Sequence, residues 1–225
     1  MIEPGELNAD FERRVVIDTK QLSYVAAPVP GVWRKRLELI GDRESGRVTS
    51  LVRYDPGSSF PGHDHPEGEE ILVLSGEWCD ERGSFSEGSY QLNPPGFRHA
   101  PFTRVGCTLF VKLKQYAGSG RATVLLDTRS GHWLSRGISG VTSLPLYYSA
   151  AYGEFVRLTR LEPGSVAPEV QLPTGEEIFV LEGAFEDEHG RYDQYTWLRM
   201  PSGFSHSPRS EQGCLMYVKS GGFPR

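Results

Sequence analysis

The sequence predicts an all-β fold built from two tandem copies of one small barrel or jelly roll. Three observations support this prediction: an internal repeat, short apolar runs separated by turn residues, and the absence of sustained helical periodicity. The 225 residues include 26 Gly and 16 Pro, which indicates many turns rather than long helices. A chain of this length can form one large domain or two, so the repeat decides between them.

The two copies align when the chain is compared with itself at one constant offset. Identical residues then recur without a gap; examples are Pro56-Gly57-Ser58 with Pro163-Gly164-Ser165, Gly68-Glu69-Glu70-Ile71 with Gly175-Glu176-Glu177-Ile178, and Gly96-Phe97 with Gly203-Phe204. An offset two residues longer pairs VVIDT at 15–19 with VLLDT at 124–128. We therefore expect an N-terminal domain over 1–115 and a C-terminal domain over 116–225, joined near a Gly- and Ser-containing connector.

Short strands are predicted within each copy. In the first copy, the segments TSLVRYDPG, EEILVLSGEW, GSYQLNPPG and CTLFVKLKQ are apolar or alternating runs that end at Gly, Pro, Asn or Asp. Closing such strands into a barrel or jelly roll removes exposed sheet edges.

A pair of histidines near the middle of the first copy points to a metal site. His63 and His65 stand at positions i and i+2 of the segment PGHDHPEGEE. On a strand, such residues face the same side, about 6.6–7 Å apart at Cα, so both imidazoles can reach one ion.

Two further ligands follow in the sequence. Pro66 and Gly68 favour a turn that brings Glu69 back toward the histidines, and His99 arrives on a different strand after another Pro-Gly turn. Three imidazoles and one carboxylate suit Zn, Fe(II), Mn, Ni or Cu rather than Ca or Mg.

The spacing of these residues resembles the two cupin motifs. The pattern Gly57-x5-His63-x-His65-x3-Glu69-x6-Gly76 matches the first motif, and Gly88-x5-Pro94-x-Gly96-x2-His99 matches the second as far as His99. The second motif ends in Asn, where this chain has Thr103. More narrowly, HPEGEEILVLSGEWCDERGSF and NPPGFRHAPFTRVGCTLFVKLKQ resemble the cupin domain of the anti-sigma factor ChrR. The resemblance covers both halves and implies a bicupin, two tandem cupin jelly-roll β-barrels, with an ion held by His63, His65, Glu69 and His99.

The second copy retains only part of this ligand set. Val170 and Leu172 replace the paired histidines, whereas Glu176 and His206 persist. We expect a degenerate site there, without a metal. Glu70 is expected to face the other side of its strand, either supporting the site from behind or serving the fold alone.

The ChrR resemblance implies a regulatory or sensor protein linked to a transcriptional response to oxidative stress. That role favours one zinc ion per chain, because zinc does not change redox state, with iron(II), manganese and nickel as alternatives. It also implies a protein partner such as a sigma factor and a small-molecule ligand at the metal; a homodimer is left open. No His or Cys precedes His63, so we expect the helical zinc domain by which ChrR proteins hold their sigma factor to be absent.

Two other functions stay open at this point. Some relatives of this cupin group are dioxygenases of small diketones or hydroxyketones, which favours an iron enzyme as the alternative. The sequence contains no separate acid, base or nucleophile motif, so no catalytic residue is predicted. A purely structural metal site is the third possibility.

Composition excludes several other classes. The net charge is −5 and the basic residues are scattered, so binding to nucleic acid is not expected. No apolar run approaches the length of a membrane span, and the acidic N-terminal segment MIEPGELNADFERR resembles neither a signal peptide nor a transit peptide. The odd number of cysteines, Cys79, Cys107 and Cys214, favours reduced thiols in the cytoplasm.

Overall fold

The computed structural model describes residues 5–224. Residues 1–4 and 225 lie outside the described residues. They include the outer ends of the two predicted domains and the start of the N-terminal segment, for which no signal peptide is predicted. No helix in the described part is long and apolar enough to cross a membrane.

The described residues form short β-strands and two single-turn 3-10 helices. The first strands are β1 (Val15–Asp18), β2 (Val25–Ala26), β3 (Val32–Ile40), β4 (Arg47–Tyr54), β5 (His63–His65), β6 (Glu69–Asp80), β7 (Gly83–Ser86), β8 (Ser89–Asn93), β9 (Phe97–His99), β10 (Cys107–Leu113) and β11 (Val124–Asp127). The others are β12 (Leu134–Ser135), β13 (Val141–Ser149), β14 (Glu154–Leu161), β15 (Ser165–Val166), β16 (Val170–Leu172), β17 (Glu176–Asp187), β18 (Gly190–Asp193), β19 (Thr196–Met200), β20 (Phe204–His206), β21 (Arg209–Ser210) and β22 (Cys214–Ser220). The helices are Thr19–Gln21 and Thr128–Ser130.

The chain divides into two compact units. Unit 1 contains the described residues up to Ala9 and Ser23–Ser130, and unit 2 contains Asp10–Leu22 and the described residues from Gly131 onward. In unit 1 the main sheet has the order β11-β8-β6-β10-β4-β3-β2, with β7 on β6, and a separate ladder joins β5 to β9. The predicted all-β class and the internal duplication are both confirmed.

Unit 2 repeats this topology strand for strand. Its main sheet has the order β1-β19-β17-β22-β14-β13-β12, with β18 on β17, and its separate ladder joins β16 to β20. An additional short pair, β15 with β21, extends along β17. The recurrence of the same strand order explains why one constant offset aligns the two copies.

The leading strand of each copy belongs to the other unit. β1 pairs antiparallel with β19 of unit 2, and β11 pairs antiparallel with β8 of unit 1. The turn after each strand is fixed in the same way, because the hydroxyl of Thr19 donates to Tyr195 O and that of Thr128 donates to Gly88 O, at 2.7 Å in both cases. The domain boundary between Gln115 and Tyr116 describes the two sequence copies and stays a prediction. The compact units differ from the copies, because each unit includes the leading strand of the other copy.

An apolar core fills the inside of unit 1. Alternate residues of the central strands face it, as Ile71 and Val73 on β6 do beside Val111 and Leu109 on β10. These four side chains are at least nine-tenths buried, which removes their apolar surface from water and stabilises the sheet. Trp78 packs edge-on against Tyr54 at the end of this core, and that end carries the histidines.

One glycine fixes the path of the longest strand of unit 1. Gly76 lies in the middle of β6 with φ +76°, and a Cβ atom there would overlap the carbonyl oxygen of Gly106. The position needs both a left-handed backbone and the space of a missing side chain. Gly183 on β17 has the corresponding conformation and the corresponding neighbour, Gly213.

Candidate metal centre

Three histidines meet on the short ladder between β5 and β9. His63 and His65 are the two ends of β5, and His63 lies directly opposite His99 on β9. His65 faces the same side of its strand as His63 because side chains alternate along a strand. The antiparallel register therefore brings the third histidine to the first two.

The ring nitrogens are close enough to share one cation. One nitrogen from each of His63, His65 and His99 lies within 4.8 Å of the other two, and the Nε2 atoms of His65 and His99 are 3.0 Å apart. Two ligands at about 2.0–2.1 Å from an ion, and at right angles to each other, lie about 2.9 Å apart. The spacing therefore fits a shared metal ion, and the three histidines can bind one.

Hydrogen bonding leaves the right nitrogen available on His63. Its Nδ1 lies 2.8 Å from the carbonyl oxygen of Pro61, and a carbonyl can only accept, so Nδ1 carries the proton and donates. The Nε2 lone pair is then available to a metal. Such a bond to the backbone is the usual way in which a ligating imidazole is held in one tautomer.

Burial keeps His65 in the neutral form that a metal requires. Removal from water lowers the pKa of His65, and the nearby His99 and His63 lower it further, against an opposing effect of Glu69. At neutral pH the ring is uncharged and its nitrogen can act as a ligand, since metal binding otherwise has to displace a proton.

Glu69 lies beside the histidines at the start of β6. Its Oε1 is 3.6 Å from Nε2 of His65 and its Oε2 is 3.6 Å from Nε2 of His99. The Nδ2 of Asn93 donates to Oε2 at 3.1 Å and holds the buried carboxylate in this orientation. The compact group of ligand atoms consists of the histidines alone, so the fourth ligand stays a prediction, with the carboxylate next to two of the three nitrogens.

Glu70 makes different contacts from its neighbour. Its Oε1 accepts a hydrogen bond of 3.0 Å from the hydroxyl of Tyr90, and the residue is buried. Adjacent residues on a strand face opposite sides, so these contacts agree with a supporting or structural role, which stays a prediction.

Asp80 is a site residue that the sequence reasoning missed. Its Oδ2 lies 3.7 Å from Nδ1 of His99, and that Nδ1 is buried without a closer partner among the described residues. Burial raises the pKa of Asp80, but His99 and Arg82 outweigh it and bring the pKa to about 2. An ionised carboxylate behind a ligating imidazole orients the ring and raises its basicity. The sequence signal that could have identified Asp80 is that the second copy has the same residue, Asp187, at the equivalent position.

Replacing this carboxylate by an amide should weaken the metal site without removing a ligand. For Asp80→Asn we expect a loss of about 10–100-fold in metal affinity, the usual effect of changing a partner behind a metal ligand. Competition with a chromophoric chelator measures the affinity. Asp187→Asn in unit 2 is the matched control, because Asp187 contacts His206 in the same way, and equal losses in both variants would contradict the assignment.

A cavity of about 90 Å³ adjoins the histidines. Its wall includes His63, His65 and Glu69, next to the apolar side chains of Val52 and Leu109. A small molecule can therefore reach an ion held at this position.

Both halves of the chain match one family of proteins. The ChrR Cupin-like domain family matches residues 12–117 and, a second time, residues 121–224. The chain belongs to this family. It is a ChrR-like bicupin, and the expected cupin jelly-roll fold is confirmed.

Solved structures share the fold of this ChrR-like bicupin at low sequence identity. A proposed dioxygenase from Nostoc punctiforme PCC 73102 is 17% identical, with a TM-score of 0.79 over 95% of this chain and 85% of that one. The pirin YhhW of Escherichia coli, solved with nickel(II), is 11% identical, with a TM-score of 0.68 over 92% and 98%. Oxalate decarboxylase of Bacillus subtilis, in a study of its Mn(II) centres, is 12% identical, with a TM-score of 0.64 over 93% and 78%. A search of curated proteins found no match.

The second cupin unit keeps the ladder but not the ligands. Val170 on β16 lies opposite His206 on β20, where the first unit has a pair of histidines. The Nδ1 of His206 contacts Asp187 at 3.2 Å, and the carboxylate of Glu176 is paired with Arg157 at 2.9 Å. Within residues 5–224, no comparable group of three ligand atoms occurs in unit 2. That this unit binds no metal stays a prediction, which the pairing of Glu176 favours.

Proposed function

We propose that this chain is a metal-binding regulatory cupin. A small oxidised molecule would reach the ion of unit 1 through the adjoining cavity and alter the packing of the barrel. The observation that carries the proposal is the position of His63 and His65 in the wall of that cavity. An ion enclosed on all sides would only stabilise the fold, whereas an ion at a cavity can bind a further ligand.

By resemblance to ChrR, the proposed role is regulatory and belongs to a transcriptional response to oxidative stress. In that role zinc is the proposed ion, held by His63, His65, Glu69 and His99, and it would supply Lewis acidity without redox cycling. A regulatory protein such as a sigma factor is the proposed partner, by resemblance to ChrR alone. The proposed location is the cytoplasm, where the three buried cysteines, which form no disulfide, would stay reduced.

The regulatory proposal is tested by metal content and by partner binding. Protein purified without added metal should contain about one zinc per chain, measured by plasma mass spectrometry. A purified sigma factor should bind the zinc protein, and peroxide should change its affinity. Iron or manganese in place of zinc, together with no sigma-factor binding in either condition, would contradict the proposal.

A metal-dependent dioxygenase is the second candidate. Two observations favour it: the cavity beside the histidines and the likeness of the fold to the Nostoc protein, a proposed dioxygenase. Iron(II) at this site would supply the one-electron chemistry that reactions of O₂ require. The chain's own contribution would be to exclude water with the apolar wall and to orient a small diketone or hydroxyketone.

This candidate is tested by oxygen uptake. The protein is reconstituted anaerobically with Fe(II) and then mixed with O₂ and a panel of diketones and hydroxyketones. Substrate-dependent uptake that is lost in His99→Ala and kept in His206→Ala would support the enzyme. No uptake over the whole panel from protein that has bound one iron would contradict it.

A further inference from the structure

Three arginines line the cavity of unit 1 together with the histidines. Arg34 and Arg36 are alternate residues on β3, so both face the cavity, and Arg43 reaches it from the loop between β3 and β4. Guanidinium groups stay charged at every physiological pH. The same wall carries the carboxylates of Glu44 and Glu69, so the lining as a whole is cationic.

One carboxylate already bridges the first two arginines. Glu44 Oε2 accepts from Nη1 of Arg34 at 2.8 Å, and its Oε1 accepts from Nη2 of Arg36 at 3.1 Å. The Arg34 and Arg36 side chains are only 21% and 8% exposed, whereas Glu44 is 47% exposed. The two guanidinium groups are therefore held by the sheet in a geometry that fits a carboxylate, and Glu44 supplies that carboxylate from the exposed loop.

The second unit lacks the counterparts of Arg34 and Arg36, and it also lacks the counterparts of His63 and His65. The ladder positions of Arg34, opposite Val52, and Arg36, opposite Ser50, are taken in unit 2 by Ser143 and Pro145. The loop that follows, at 150–153, contains neither Arg nor Glu. Arg34 and Arg36 therefore occur in the copy that carries His63 and His65, and they are replaced in the copy that carries Val170 and Leu172. The corresponding cavity of unit 2 contains a different arginine, Arg157, which is paired with Glu176. This pattern favours a shared site for the two arginines and the two histidines of unit 1.

The rest of the cavity indicates the size and chemistry of the ligand. A volume of about 90 Å³ admits a molecule of only a few non-hydrogen atoms. Val48, Val52 and Val111 make part of its wall apolar. Trp78, in the same wall, has an indole N–H that is buried without a partner among the described residues, and an oxygen of a ligand would relieve this unmet donor.

We propose that the cavity of unit 1 binds a small organic carboxylate, whose acid group displaces Glu44 from Arg34 and Arg36. This inference specifies the class of ligand for the proposed metal-dependent function, and its biological role rests on that function. The carboxylate site itself is independent of the ion and is present in metal-free protein. Glu44 acts as an internal competitor that occupies the site until a ligand arrives.

The test compares butyrate with butyramide, which has nearly the same shape and no charge. Binding to the full-length protein is measured by calorimetry, first after chelation and then with one metal per chain. We expect saturable butyrate binding to metal-free protein, at least 10-fold weaker binding of butyramide, and a loss of about 10-fold or more in Arg34→Gln and Arg36→Gln. Glu44→Gln should bind butyrate more tightly, because the competing charge is gone.

Arg53→Gln is the matched control. Arg53 is also on a strand of this sheet, but it contacts Asp55 and the ring of Tyr24 rather than the cavity, so its loss should leave butyrate binding unchanged. Because Glu44 lies in an exposed loop, Glu44→Gln should fold normally. This variant therefore still tests the proposal if an arginine variant folds poorly. Unchanged binding in Arg34→Gln and Arg36→Gln, or weaker binding in Glu44→Gln, would overturn the proposal.

The outcomes separate this inference from the proposed function. Wild-type protein that retains no metal but binds butyrate through the arginines contradicts the metal-dependent function alone. Protein that retains one metal and binds butyrate and butyramide equally contradicts the carboxylate site alone. Equal binding of butyrate and inorganic phosphate to metal-free protein would also overturn the proposal, because it would indicate attraction of any anion.

Discussion

His99→Ala should lower the metal affinity of the protein by more than about 100-fold. The change removes an imidazole whose Nε2 lies 3.0 Å from that of His65, and it leaves only His63 and His65 of the three-nitrogen group. The loss should exceed the 10–100-fold that follows from changing a partner behind a ligand. Zinc content after gel filtration and competition with a chelator both measure the effect.

The duplication offers a matched control at the same place in the fold. His206 has the same burial, 2% exposed, as His99, ends the corresponding short strand, and contacts the corresponding aspartate. His206→Ala should therefore cause a similar change in stability and leave the metal affinity within about threefold of wild type. If the His206 variant lost the metal and the His99 variant kept it, the ion would lie in unit 2, and the assignment to unit 1 would be wrong.

Gly76→Ala should destabilise the protein by about 2–5 kcal/mol. An alanine would have to adopt φ +76°, and its Cβ would overlap the carbonyl oxygen of Gly106 on a neighbouring backbone segment. The left-handed backbone alone costs about 1–2 kcal/mol, and displacing packed backbone adds about 1–3 kcal/mol. Urea unfolding followed by circular dichroism measures the free energy of unfolding.

Gly57→Ala separates the two contributions. Gly57 has φ +77°, almost the same as Gly76, but a Cβ there would meet no atom within 4 Å. In Gly57→Ala the free energy of unfolding should fall only by the cost of the left-handed backbone, about 1–2 kcal/mol. Equal destabilisation by the two variants would show that the close approach to Gly106 carries no energy of its own.

Much of the fold could be predicted from the sequence, because local patterns determine it. The segment EEILVLSGEW, predicted as a strand, lies in β6, and CTLFVKLKQ forms β10 except for its last two residues. Apolar runs bounded by turns can bury one side of a sheet. The two-residue spacing of His63 and His65 predicted that both would face one side, and the ladder to His99 agrees with it. These features depend on neighbours in the sequence.

Features that depend on distant partners could not be predicted in this way. The repeat predicts that Val15–Asp18 forms a strand, but no local signal tells whether it pairs within its own copy or with β19. Asp80 and the arginines of β3 have ordinary surface-type side chains in the sequence. Only the closed sheet brings Asp80 behind His99, and Arg34 into the histidine cavity.

The exchanged leading strands also constrain the order of events during synthesis. β11 is the last strand of the sheet of unit 1, so that sheet cannot close until Asp127 has left the ribosome. β1 precedes the other strands of the described residues, and its partner β19 follows much later in the chain. Contacts so distant along the chain slow folding, and β1 of the nascent chain therefore stays unpaired until Met200 has been synthesised.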